Sequence, residues 1–91
     1  MKIQYFAHLR ESAGCKEENW TKNTPVLRDL IFELCKKYGK SFEKWVLNED
    51  GSLCEIAIIL VNGNDVRHTS YLDTQLSEDD IVSIFPPVAG G

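Results

Sequence analysis

The motifs that would give this chain chemistry of its own are almost all missing. It has no G-x-G-x-x-G or G-x-x-x-x-G-K-[ST] loop to cradle a phosphate, and no G-x-S-x-G elbow to raise a nucleophilic serine. Only two histidines occur, His8 and His68; neither has a carboxylate or thiol partner nearby in sequence, and each reads as a surface residue. The three cysteines, Cys15, Cys35 and Cys54, are odd in number and widely spaced. Without a C-x-x-C they indicate neither a zinc knuckle nor a redox pair, and free thiols suit a reducing compartment. No apolar run approaches the ~18 residues a membrane span needs. Positive charge is also scarce: 10 basic against 14 acidic residues leave a net charge of −4, where nucleic-acid binding asks for a basic face. The chain enters a strand-like pattern directly, with no charged-then-apolar leader. The expectation is a cytoplasmic protein with no membrane or nucleic-acid partner, and with no metal or cofactor of its own.

What remains is the composition of one globular domain spanning residues 1–91, 43% hydrophobic and 26% charged. Residues 2–8 alternate and predict a first strand, with Ile3, Tyr5 and Ala7 on one face and Lys2, Gln4 and Phe6 on the other. Residues 10–14 suggest a helical turn closed by Gly14, and residues 16–21 a second strand. The strongest helix signal begins with Thr24 as cap and Pro25 at the first helical position, with Gly39 just past the end. Between them Leu27, Leu30, Ile31, Leu34, Cys35 and Tyr38 recur at helical spacing, so Cys35 is expected to be a buried, inert thiol. Residues 41–47 suit a short second helix packing Phe42, Trp45 and Val46. The lysines at 36, 37, 40 and 44 read as a solvated helix end that complements the macrodipole.

Residues 55–61 are nearly all apolar and predict a central strand. Asn62-Gly63 is a strong hairpin signal, because a type I′ turn needs positive φ at both central residues. Val66 and Arg67 would then begin a returning edge strand, and residues 81–85 form the last strand. Hairpins on either side of one main helix predict an α+β domain, with a mixed sheet of about five strands and the helix across one face. Phe6, Val66 and Phe85 are candidates for the opposite, open face, where an apolar patch would mark a partner site.

The chain finishes on Phe85-Pro86-Pro87-Val88-Ala89-Gly90-Gly91. Proline fixes φ and withholds an N–H, so Pro86 and Pro87 resist being drawn into sheet or helix. Glycine lacks a Cβ, so a backbone ending in two glycines fits a slot too narrow for side chains. Residues 86–91 would reach roughly 20 Å if extended. The expectation is a flexible functional tail that carries a carboxylate into another protein.

The run Tyr5-Phe6-Ala7-His8-Leu9-Arg10-Glu11-Ser12-Ala13-Gly14, the hairpin Leu60-Val61-Asn62-Gly63 and the ending Phe85 to Gly91 together resemble one family. It is the MoaD-like small subunit of molybdopterin synthase, within the MoaD/ThiS ubiquitin-like sulfur carriers. The resemblance covers the whole chain and implies a β-grasp fold. It also implies a reaction cycle. An E1-like adenylyltransferase (MoeB-like) uses ATP to adenylate Gly91, and a sulfur donor enzyme converts the adenylate to a thiocarboxylate. The tail residues Pro86, Pro87, Val88, Ala89 and Gly90 then thread into a large synthase subunit (MoaE-like), where sulfur forms the dithiolene of molybdopterin. By the same resemblance Phe6, Arg10, Val66 and Phe85 fall at partner-contact positions. Extra residues near 40–48 and between 62 and 76 set this chain apart from shorter members. Longer members leave open a tungsten-pterin or thiamine pathway, or conjugation of Gly91 to other proteins.

Overall fold

In the computed structural model, which describes residues 1–87, the opening alternation becomes strand β1 (Lys2–Tyr5), with Ile3 and Tyr5 fully buried. The strand ends sooner than the pattern through residue 8 suggests. Ala7 takes a φ of 51°, which breaks the extended ladder, and helix α1 (His8–Ala13) starts at once. Gly14, at φ 75°, closes it in the left-handed conformation and donates its N–H to the Arg10 carbonyl. Strand β2 (Glu17–Asn19) returns antiparallel to β1, with Glu18 opposite Ile3.

Helix α2 (Leu27–Tyr38) is the expected long helix, and Leu27, Leu30, Ile31 and Leu34 are its buried stripe. Its first turn differs from expectation: Val26 precedes it, and no side chain caps it. Thr24 is buried, and its Oγ1 accepts a hydrogen bond from Trp20 Nε1 at 3.1 Å. That threonine oxygen therefore satisfies an indole in the core, not a helix end. Gly39 ends α2 and opens α3 (Lys40–Val46), which buries Phe42 and Val46.

Of the apolar run from residue 55, only Ile58–Val61 form a strand, β3. Arg67 accounts for the rest: its guanidinium donates to the carbonyls of Ala57 (2.5 Å), Cys54 (2.8 Å) and Glu55 (2.5 Å), which ties that segment into a turn. Asn62 and Gly63 have φ of 52° and 85°, as a type I′ turn requires, and Val61 faces Asn64 at the start of β4 (Asn64–Asp65). Val66 does not continue the edge strand; it starts a 3-10 turn (Val66–His68), which a second such turn (Tyr71–Asp73) follows. Strand β5 (Ile81–Phe85) closes the fold.

The sheet order is β2-β1-β5-β3-β4, with β1 and β5 parallel and the other pairs antiparallel. The buried faces of α2 and α3 meet Ile3, Tyr5, Ile59, Val82 and Ile84 in one core. This is the ubiquitin-like β-grasp architecture, an α+β domain with a mixed five-stranded sheet. Helix α2 covers one face only.

Candidate functional site

The end of β5 is where the fold hands the chain to its last residues. Strand β1 accompanies β5 as far as Tyr5 opposite Ile84, and then turns away at Ala7. Phe85 keeps a ladder partner on the other side, Ile58 of β3. On the side that β1 has left, the Phe6 ring stacks on the Phe85 ring, with centroids 4.1 Å apart and planes 11° from parallel. The Arg10 guanidinium carbon lies 5.3 Å above the Phe6 ring, and Arg10 Nε donates to the Tyr5 carbonyl at 2.9 Å. Three of the residues expected at partner contacts are thus brought together, with Phe6 touching both Arg10 and Phe85. Beyond it Pro86 is buried and Pro87 half-buried. Val88, Ala89, Gly90 and Gly91 lie outside the described residues.

Val66 departs from expectation. It is fully buried among core residues, so it cannot sit on the open face. The face itself exists, and its apolar members are partly others. In register, Lys2 faces Ile81, Gln4 faces Ser83, Ser83 faces Leu60 and Phe85 faces Ile58. Ile58 and Ile81 are 42% and 41% exposed, flanking a Ser83–Gln4 hydrogen bond of 3.0 Å. Ile58 and Leu60 escape a reading of the sequence because the run they belong to looks buried on both faces. The alternation of β5 holds the missing signal: Val82 and Ile84 point to the core, so Ile81, Ser83 and Phe85, and whatever pairs with them, point away.

Of the other chemistry-bearing side chains, His8, Cys35 and Glu18 are occupied structurally. His8 stacks on Trp45, with centroids 4.8 Å apart, beside Lys44 in a shallow cleft between α1 and α3. His68 is exposed. Burial, with a smaller contribution from Glu43, pushes the Cys35 thiol up to about 11, which keeps it protonated and unreactive near neutral pH. The Glu18 carboxylate accepts hydrogen bonds from the hydroxyls of Tyr5 and Tyr38, and from Lys37 Nζ at 2.8 Å. Among the described residues no cluster of three His, Cys, Asp or Glu side chains could hold a metal ion, and no helix is long and apolar enough to cross a membrane.

The ThiS family profile matches residues 3–91 of this chain. Small archaeal modifier protein 3 of Haloferax volcanii is 33% identical over 92 residues, covering 100% of this chain and 98% of that protein. An Archaeoglobus fulgidus protein, provisionally named a sulfur carrier, is 43% identical over 66 residues, 72% of this chain and 74% of its own. The solution structure of small archaeal modifier protein 1 from Methanosarcina acetivorans is similar at a TM-score of 0.78 with 37% identity, covering 99% of this chain and 94% of that one.

Proposed function

The chain belongs to the ThiS family of ubiquitin-like sulfur carriers and modifiers, and on that premise we propose that it carries sulfur as a thiocarboxylate on Gly91. One observation supports this above the others. The single stretch whose composition suits entry into another protein, residues 86–91, follows directly on β5, whose last residue Phe85 lies on the sheet face that helix α2 leaves open. A carboxylate is a poor acyl donor. An E1-like adenylyltransferase that binds ATP would let the Gly91 carboxylate attack the α-phosphorus and release pyrophosphate. Hydrosulfide released by a donor enzyme would then attack the acyl-adenylate carbonyl and expel AMP, which leaves the thiocarboxylate. Phe6, Arg10, Phe85, Ile58 and Leu60 form the surface that such partners would cover, while the narrow Gly-Gly backbone enters the partner's site. The destination we favour is dithiolene formation in molybdopterin within the cytoplasm, on a large synthase subunit.

Incubating the chain with an E1-like enzyme, ATP and a sulfur donor tests this. The expected product has gained the mass difference between sulfur and oxygen, localised to Gly91. A chain with one residue appended after Gly91 should stay unmodified. If the extended chain still gains sulfur, the reading is wrong.

A second reading, conjugation of Gly91 to lysine amines, is favoured by the similarity to Haloferax volcanii small archaeal modifier protein 3. It requires Gly-Gly remnants in isopeptide linkage on other proteins, which a pure sulfur carrier would not leave.

A further inference from the structure

We infer that Phe6 is a positioning residue for the C-terminal segment, a strut that fixes the direction in which the chain leaves β5. This rests on the proposed role of Gly91 for its kinetic consequence, though not for its structural one. A strand in mid-sheet is held from both sides, but β5 loses β1 after Ile84, one residue before the segment that must be aimed. At Phe85 only β3 remains, through Ile58. The Phe6 ring takes the place of the missing strand at a centroid separation of 4.1 Å.

A strut needs a fixed base, and Phe6 has one. Its carbonyl accepts the Leu9 N–H at 3.1 Å, and the neighbouring Ala7 carbonyl accepts the Arg10 N–H at 3.0 Å, so its backbone is locked to the start of α1. The Arg10 guanidinium carbon lies 5.3 Å from its ring centroid, and Arg10 is itself anchored on the Tyr5 carbonyl. Phe6 is therefore in contact with both a cation and the Phe85 ring. The buried Pro86 that follows adds a second fixed point, because its φ is locked by its ring. A partner would then meet a segment whose exit direction is already set, and would not have to select it from many.

The alternative is that Phe6 and Phe85 are two separate patches touched by the partner. A double-mutant cycle separates the two cases. Phe6→Leu, Phe85→Leu, the double variant and Phe6→Tyr are assayed for kcat/KM of adenylation by pyrophosphate release. If Phe6 acts through Phe85, each single leucine variant loses roughly fivefold, on the scale of one aromatic stack. The double variant loses no more than the worse single one, and Phe6→Tyr, which keeps the ring, recovers the rate. Losses that multiply in the double variant overturn the inference.

A second measurement needs no partner. In weakly aligned free chain, the Cα–Hα dipolar couplings of Pro86 and Pro87 should shrink in Phe6→Leu and be retained in Phe6→Tyr. Couplings unchanged in Phe6→Leu overturn the strut whatever the activity. Absence of adenylation in the parent chain, with the couplings behaving as expected, would instead overturn the proposed function alone.

Discussion

Glu18 lies on the edge strand β2, yet its carboxylate ties three elements together. It accepts from Tyr5 of β1, and from Tyr38 and Lys37 of α2. Burial acts to raise this carboxyl, but the hydrogen bonds from Lys37, Tyr38 and Tyr5 outweigh it and hold the group below its usual value. The same arrangement raises Tyr5, first by burial and then by its bond to the Glu18 carboxylate, and raises Tyr38 in the same way. The signs give two pH limbs. A depressed carboxyl stabilises the fold above its unfolded value of about 4.3, and that stability is lost as pH falls through the folded value. A raised tyrosine stabilises the fold below its unfolded value of about 10, and that stability is lost as pH climbs toward the folded value. Urea midpoints should therefore be flat between about pH 5 and 9 and fall on both sides. Glu18→Gln should cost about 1–2 kcal/mol at neutral pH and flatten the acid limb, as a loss of charge-assisted bonds predicts. An acid limb unchanged in that variant would contradict this assignment. Nothing in the sequence marks Glu18, because an acidic pair on a short edge strand looks solvated. Thr24 was misleading for a related reason: a threonine before an apolar periodic run reads as a cap, and only the packing shows that Trp20 claims its oxygen.

At the scale of elements, the hairpin between β3 and β4 was fully legible, since Asn-Gly asks for two positive φ angles and both are there. Asn62 does more than turn the chain. Its Nδ2 donates to Asp80 at 2.8 Å, and its Oδ1 accepts the Ile81 N–H at 2.9 Å, which fixes the start of β5 beside the turn. Asn62→Ala should lose both bonds and the tolerance of left-handed φ, lowering stability by about 2 kcal/mol in chemical denaturation. Gly63→Ala has open space for the new Cβ, so it should cost only the backbone strain at φ +85°, about 1 kcal/mol. Equal losses for the two variants would mean that the side-chain bonds of Asn62 contribute nothing. Helix α2 was legible from its stripe. The ends of β1 and β3 were not. A positive φ at Ala7 and a guanidinium drawing in three carbonyls are events of tertiary structure that alternation cannot report.

For the molecule as a whole, helix α2 leaves one face of the sheet uncovered, with Ile58 and Ile81 partly exposed on it. Ile58 points away from the core on β3, is 42% exposed and faces Phe85, so Ile58→Asp should lower stability by about 1 kcal/mol and leave the chain folded. If partners dock on this face, the same substitution should sharply reduce transfer of sulfur from the chain. Transfer at the parent rate would place docking elsewhere. The fold class was readable from the order of patterns. Which side chains gather at the end of β5 was half readable: Phe6, Arg10 and Phe85 converge, Val66 belongs to the core, and Ile58 and Leu60 emerge only from the strand register. The central claim is that sulfur resides on Gly91 and not on a thiol. It is tested most directly by fragment mass spectrometry of the chain after exposure to an E1-like enzyme, ATP and a sulfur donor. The account predicts one oxygen replaced by sulfur within the peptide ending at Gly91, with Cys15, Cys35 and Cys54 unmodified; sulfur added to a cysteine while the Gly91 carboxylate stays intact would contradict it.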